Sequence, residues 1–330
     1  MTLNLNNINT CEDLAKAILS SRTILLVCHI APDGDTLGSA LALKDICKQF
    51  GSVIRLDIIL YGEIPSIYQF LPNVETIKLP NATDLLDIYD LAIAIDVASA
   101  DRLGGSDKLF NSARKTAVID HHETNPLFAN INLVADDASA TGEIVYDLME
   151  TLDATLTKDI AIYLYTAILT DTGGFKFSNT SAKAFSVCSK LIATGIKPQE
   201  IYRLCYENRP IEMVKLHAHC VENVQLSQDK KIAWSILTRN TMNNFKAFDE
   251  HTDGIVELIR SINTVEIAIL FKETKDGSLK VSFRSKNYDI CSIAKEFNGG
   301  GHKLAAGCTI KNSSMGELIN LILTKVKQLV

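Results

Sequence analysis

Ala117-Val118-Ile119-Asp120-His121-His122-Glu123 joins a short apolar, β-branched run to an acid and two adjacent histidines. Two stretches upstream follow the same plan. Ile24-Leu25-Leu26-Val27-Cys28 runs into His29, with Asp33 and Asp35 just beyond, and Leu91-Ala92-Ile93-Ala94-Ile95 runs into Asp96. Apolar runs of about five residues, bounded by polar loops and alternating with helical patterns, predict buried parallel strands. In an open α/β sheet, ligands gather beyond the carboxyl ends of the strands. Three strand ends bearing His and Asp therefore point to one site, and the residue types point to a metal.

The whole chain sets the bounds. Its 330 residues suffice for two domains that each bury a core. With 47% hydrophobic and 22% charged residues it reads as globular, which excludes bulk disorder. No apolar run reaches ~18 residues and the N-terminus lacks an export pattern, so no membrane span and a cytoplasmic location are expected. The eight cysteines are scattered without a Cys-x-x-Cys pair and read as buried, reduced thiols. The net charge of −6 is uneven: residues 1–225 carry 18 Lys+Arg against 28 Asp+Glu, and residues 226–330 carry 15 against 11. The acidic part holds the ligand candidates and the basic part suits an anion. Neither contains a long basic stripe, which argues against an extended nucleic-acid footprint.

In chain order, Thr10-Cys11-Glu12-Asp13 resembles a capping box opening a helix over 11–20. A strand over 23–28 leads to His29, and a helix is expected from Thr36 to Phe50. Pro32 and Gly34 are expected to force a tight, non-helical path that gathers His29, Asp33 and Asp35. One acid would serve as a helix cap; two acids and a histidine exceed that need. Strands over 53–60, 90–95 and 116–119 follow. Neighbouring side chains on a strand point to opposite faces, so one of His121 and His122 would bind metal while the other faces substrate. Helices are expected from Ser139 to Leu152 and from 157 to 170. The second runs into Asp171, an acid misplaced for a helix C-terminus and therefore functional. Residues 182–224 read as helical. Beyond them come strands over 231–237, 265–271 and 279–283, a helix over 290–297, the loop Gly299-Gly300-Gly301-His302, a strand over 306–310 and a last helix. Three glycines leave backbone N–H groups free to cradle an anion.

These motifs resemble the DHH phosphoesterases. The residues that carry the likeness are His29-x-x-x-Asp33-Gly34-Asp35, Asp96, Asp120-His121-His122 and Asp171. Arg284-Ser285 and Gly299-Gly300-Gly301-His302-x-x-Ala305-Ala306-Gly307 look like the DHH-associated domain, with Asn298 standing where many relatives have a fourth glycine. Length and the stretch Thr170-Asp171-Thr172-Gly173-Gly174-Phe175 are most similar to the NrnA-type enzymes, which are bifunctional oligoribonucleases and 3′-phosphoadenosine 5′-phosphate phosphatases.

The resemblance implies an α/β fold: a parallel-sheet catalytic domain over 1–185, a helical connector over 186–225 and a smaller α/β substrate-binding domain over 226–330, with the active site in the cleft between domains. It implies two Mn²⁺ ions, with Mg²⁺ as the alternative: one held by His29, Asp33 and Asp96, the other by Asp35, Asp96, His121 and Asp171. Asp96 would bridge, His122 would face the substrate, and Asp120 would orient a histidine. Two divalent ions balance four carboxylates, so a phosphate needs further cations. Arg284 and His302 are the expected suppliers, with Ser285, Gly299, Gly300, Gly301 and Lys303 beside them. The implied substrates are RNAs of about two to five nucleotides, linear dinucleotides (pGpG, pApA) and 3′-phosphoadenosine 5′-phosphate. A homodimer is left open. A RecJ-like exonuclease on longer strands is disfavoured by the lack of an aromatic-rich basic groove. A nucleotide-binding protein without catalysis is disfavoured by the complete ligand set.

Overall fold

The computed structural model describes residues 8–311 and 315–330. The chain divides into two units, Met1–Asn208 and Arg209–Val330. The first contains, in order, α1 (Cys11–Ser20), β1 (Thr23–Cys28), α2 (Gly34–Cys47), β2 (Arg55–Ile59), β3 (Leu91–Ile95), α3 (Asp107–Ser112), β4 (Lys115–Asp120), β5 (Ile131–Val134), α4 (Thr141–Thr151), α5 (Lys158–Asp171), α6 (Ala182–Ala193) and α7 (Pro198–Tyr206). Thr10 caps α1 through the expected reciprocal bonds with Asp13. The fifth strand, Ile131–Val134, is an addition to the sequence reading.

The five strands form one parallel sheet in the order β2-β1-β3-β4-β5. Both faces are covered, which explains the unbroken apolar runs. Along β1, Ile24, Leu26 and Cys28 enter a large core with α1, α2, α4 and α5, while Leu25 and Val27 enter a second core with Tyr89, Leu103 and Phe110. The strand order reverses between β1 and β3, so a crevice opens at their carboxyl ends. His29 and Asp96 stand there.

Helix α2 packs against α5 at unusually short range. A Cβ on Gly38 would lie 2.4 Å from the backbone oxygen of Tyr163, so only glycine allows the approach. The helix also starts earlier than expected: Gly34 and Asp35 belong to its first turn, and Asp33 caps it by accepting from Asp35 N and Thr36 N, each at 3.1 Å. The predicted non-helical path at Gly34 is thus corrected. The sharp bend lies at Ala31, φ 52. Because a helix N-terminus already favours carboxylates, Asp33 serves as both cap and ligand candidate.

The second unit contains α8 (Ile211–Glu222), β6 (Gln225–Leu226), β7 (Ile232–Leu237), α9 (Arg239–Asn244), α10 (Ile255–Arg260), β8 (Ile267–Glu273), β9 (Leu279–Ser285), α11 (Cys291–Glu296), β10 (Gly300–His302), β11 (Ala305–Ile310) and α12 (Met315–Val326). The helical stretch over 186–225 is divided: α6 and α7 fall in the first unit and α8 in the second. The six-stranded sheet runs β10-β11-β9-β8-β7-β6, with β7 and β8 parallel and the other pairs antiparallel. Along β8, Ile267, Ile269 and Phe271 face one core and Ala268 and Leu270 another, so this sheet too is covered on both sides.

The glycine run differs from the expected loop. Gly300–His302 is an edge strand that pairs with Ala305–Gly307 as a tight hairpin. Gly299 is required for packing, since a Cβ there would lie 2.2 Å from Gly307 O, and only Gly300 faces open space. Asn298 takes φ 56, the left-handed region that asparagine tolerates, so the missing fourth glycine is accommodated.

Among the described residues no helix is long and apolar enough to cross a membrane. All eight cysteines are free; seven are buried and Cys11 is half-buried.

Candidate metal-binding active site

The carboxyl ends of β1, β3 and β4 and the end of α5 bring together His29, Asp33, Asp35, Asp96, His121, His122 and Asp171. They fall into three overlapping groups, His29–Asp33–Asp96, Asp35–His121–Asp171 and Asp96–His121–His122, each with donor atoms within 4.8 Å of one another. Asp96 joins them. Its Oδ2 lies 3.3 Å from His29 Nε2, and its Oδ1 lies 3.6 Å from His121 Nε2 and 3.8 Å from His122 Nδ1. A left-handed backbone at Asp96, φ 59, turns the chain just after β3. His29 Nε2 is 3.7 Å from Asp33 Oδ1, and His121 Nε2 is 3.5 Å from Asp171 Oδ2 and 3.9 Å from Asp35 Oδ2.

The two adjacent histidines do not take opposite faces. β4 ends at Asp120, and beyond it strand alternation no longer applies. The two rings lie edge to face with centroids 4.7 Å apart, both beside Asp96. What separates them is hydrogen bonding. His121 turns Nδ1 to the carbonyl of Ala138 at 3.2 Å, freeing Nε2 for the acid group. His122 turns Nδ1 to Asp120 Oδ1 at 2.7 Å. Asp120 is fully buried, and Asn125 Nδ2 donates to its other oxygen at 2.6 Å.

One segment that the sequence shows only as a helix start organises this site. Ala138–Gly142 touches three of the ligand candidates directly. Besides the Ala138 carbonyl on His121, Thr141 N and Gly142 N donate to the two oxygens of Asp35 at 2.7 and 2.9 Å, and Thr141 Oγ1 donates to Asp96 Oδ1 at 3.0 Å. Asn179 ties the same segment to a fourth, reaching both Ser139 O and Asp171 Oδ2. The available clue was the small-residue opening of α4, because free N–H groups at a helix N-terminus suit an anion. Asn179 carried no comparable signal.

Charge crowding is severe. Burial first, then Asp96 and Asp171, holds the Asp35 carboxyl well above its ordinary pKa. Burial and the charges of Asp96 and Asp33 push Asp171 up to about 7, against the pull of His121. Burial opposes charge on the imidazoles, yet Asp33 and Asp96 raise His29 to about 10, and Asp96, Asp171 and Asp35 raise His121 to about 9. Such a nest of buried like charges is what divalent cations relieve. Imidazole and carboxylate donors without thiolate suit Mn²⁺, Mg²⁺ or a similar ion. Cys28 stays outside the groups, its Sγ 3.9 Å from Thr36 O. The residues therefore fit a metal pair.

The expected substrate residues lie in the second unit. Arg284 is already engaged: Nε donates to Glu257 Oε1 at 2.8 Å and Nη1 to Phe283 O at 2.9 Å. Ser285 is fully buried, and its hydroxyl accepts from Asn287 N and Tyr288 N, so it shapes the turn after β9 and presents nothing to a ligand. Gly301, His302 and Lys303 are exposed.

Comparison with known proteins agrees with this arrangement. Residues 23–168 match the DHH family, N-terminal domain, and residues 231–330 match the DHHA1 domain. The chain is 30% identical to a bifunctional oligoribonuclease and PAP phosphatase NrnA from Thermus thermophilus, over 92% of this chain and 89% of that protein. It is 29% identical to the Bacillus subtilis protein of the same name, over 90% and 92%. Among solved structures, an exopolyphosphatase-related protein from Bacteroides fragilis superposes with a TM-score of 0.88 at 26% identity, covering 96% of both chains. With the domain pair matched in order and the acid–imidazole groups at the carboxyl end of its parallel sheet, the chain belongs to the DHH family of metal-dependent phosphoesterases, hydrolases of phosphoester bonds.

Proposed function

We propose that this protein hydrolyses very short oligoribonucleotides, including linear dinucleotides, to 5′-mononucleotides, and removes the 3′-phosphate of 3′-phosphoadenosine 5′-phosphate to give AMP. The observation that carries the chemistry is Asp96, which offers one oxygen to the His29–Asp33 group and the other to the His121 group. The substrate class rests on the names of relatives that align over nearly the whole chain. It also rests on the absence of a long basic stripe in the sequence. Eight free thiols fit a reducing, cytoplasmic setting.

In this reading His29, Asp33 and Asp96 hold one Mn²⁺, and Asp35, Asp96, His121 and Asp171 hold the other. Bound there, the pair supplies Lewis acidity that lowers the pKa of water and neutralises charge on the phosphate. The chain does the rest. His122, aligned by Asp120 through Nδ1, holds a proton at its other ring nitrogen to give to the leaving oxygen. Thr141, Gly142 and Asn179 keep the carboxylates in place as charge changes. In the second unit Arg284, His302 and Lys303 orient the nucleotide.

The test is hydrolysis, with Mn²⁺ present, of a labelled dinucleotide, 3′-phosphoadenosine 5′-phosphate and a long RNA single strand. The double variant Asp120→Ala/His121→Ala serves as control. Fast turnover of the first two with the long strand slow supports the reading. Preference for the long strand overturns it in favour of an exonuclease on extended substrates, and silence on all three overturns it outright.

A further inference from the structure

Arg102 is a cation of the first unit that touches the acid–imidazole groups. Arg55, Lys78, Lys183 and Lys190 each sit against a carboxylate. Arg102 is half-buried, and its Nη2 lies 2.9 Å from His29 Nδ1. Among the described residues no carboxylate comes within ion-pair distance of it.

With His29 Nε2 turned to Asp33 and Asp96 as the metal-facing nitrogen, Nδ1 carries the hydrogen and that contact does not satisfy the guanidinium. Arginine only donates, and His29 Nδ1 already has the carbonyl oxygen of Ile30 at 2.9 Å. An Nδ1–H directed at that carbonyl leaves Arg102 with no lone pair to receive its proton. Yet the chain is built to keep it there. Ile30 N donates to Arg102 O at 2.9 Å, and Arg102 N donates to Ser99 O at 3.0 Å. Two residues on, Gly104 at φ 55 fits so tightly that a Cβ would lie 2.4 Å from Ile30 Cγ2. Main-chain contacts therefore lock Arg102 to the turn that carries His29. A planar fork of donors beside the acid–imidazole groups suits a phosphate, whose oxygens it can grip in pairs. Arg284, by contrast, is already committed to Glu257.

We propose that Arg102 is a phosphate-binding residue, gripping the substrate phosphate that meets the His29–Asp33–Asp96 group. The assignment rests on the phosphoesterase reading above. It implies that the first unit contributes a cation of its own to the charge balance at the site.

The experiment uses the full chain loaded with Mn²⁺ and titrates inorganic phosphate by calorimetry. It compares wild type with Arg102→Met and Arg102→Lys, both of which preserve the main-chain contacts. Mn²⁺ titration and melting are measured alongside. The expected result is a phosphate affinity lowered about tenfold or more in the methionine variant, as for loss of a charge-assisted bond. Lysine should recover part of it, and Mn²⁺ affinity should stay within about twofold of wild type. KM for the dinucleotide should rise more than kcat falls. Unchanged phosphate affinity overturns the proposal. So does a parallel loss of Mn²⁺ affinity, which would make Arg102 a support for His29. If the wild type hydrolyses no nucleotide, the substrate reading fails, while the phosphate titration still decides the role of Arg102.

Discussion

Asn179 donates its amide Nδ2 to Asp171 Oδ2 at 3.2 Å, and the same nitrogen lies 2.9 Å from the carbonyl oxygen of Ser139 and 3.1 Å from that of Asp171. Three acceptors surround one nitrogen, so the amide cannot be reversed without setting oxygen against oxygen. This one side chain links the last ligand candidate, at the end of α5, to the segment that holds Asp35, Asp96 and His121. Asn179→Ala should weaken Mn²⁺ binding to the second group by about ten- to a hundredfold. Calorimetric titration would show one weakened and one unchanged ion. Two unchanged ions would refute the link.

Asp120 acts through His122. It is fully buried, and both its oxygens are used, at 2.7 Å by His122 and 2.6 Å by Asn125. Asparagine keeps the shape but can turn an N–H toward the ring, reversing its proton pattern. Asp120→Asn should lower kcat by roughly 10²-fold while leaving metal affinity near wild type. The activity should fall most where His122 must carry a proton, so a flattened pH profile is the diagnostic sign.

Loading the metals should release protons. In the metal-free chain His29 and His121 are raised to about 10 and about 9, and Asp171 to about 7. Ligand nitrogens and oxygens must give up those protons, so apparent affinity rises with pH. The stability sign follows. Each folded-state value lies above the unfolded one, so each group stabilises the metal-free fold fully only below its unfolded pKa. That contribution fades as pH climbs through the folded value. Between pH 6 and 9, chelated protein should lose Tm while the gain on adding Mn²⁺ grows. Calorimetry in buffers of different ionisation enthalpy should count the protons, and a count of zero would exclude this account.

Arg284 offers a test in the second unit. Its guanidinium is fixed by Glu257, whose other oxygen is buried without a hydrogen-bond partner. Arg284→Ala should raise KM for the dinucleotide by about tenfold or more, with Mn²⁺ binding intact. Wild-type kinetics would remove Arg284 from the substrate site.

Much of this architecture was legible in the chain because it rests on local rules. β1, β3 and β4 announce themselves as apolar runs ending in His or Asp, and Thr10 and Asp13 mark α1. The rest depends on contacts distant in sequence. β5 is four residues long, too short for periodicity to register. Asn179 meets Ser139 across 40 positions, and no pattern in either segment foretells that pairing. Strand alternation does not separate the histidine pair, because both residues lie beyond Asp120, where β4 ends. The glycine run misled because the same residues that free a loop also allow a tight hairpin.

Gly38 tests whether the α2–α5 approach holds the site together. Alanine there improves helix propensity by about 1 kcal/mol. Against that stands a backbone oxygen, Tyr163 O, 2.4 Å from the new Cβ, and a backbone atom cannot rotate aside. Overpacking of this kind costs about 1–3 kcal/mol, and a contact with fixed backbone belongs at the upper end, so the balance is a net loss of up to about 2 kcal/mol. Moving α2 away from α5 also separates Asp35, in the first turn of α2, from Asp171, the last residue of α5. Gly38→Ala should therefore lower Tm and Mn²⁺ affinity together. Gly51→Ala, where a Cβ meets nothing within 4 Å, should change neither. A Gly38→Ala protein that melts lower yet binds Mn²⁺ normally would show that the ligand group tolerates movement between the two helices.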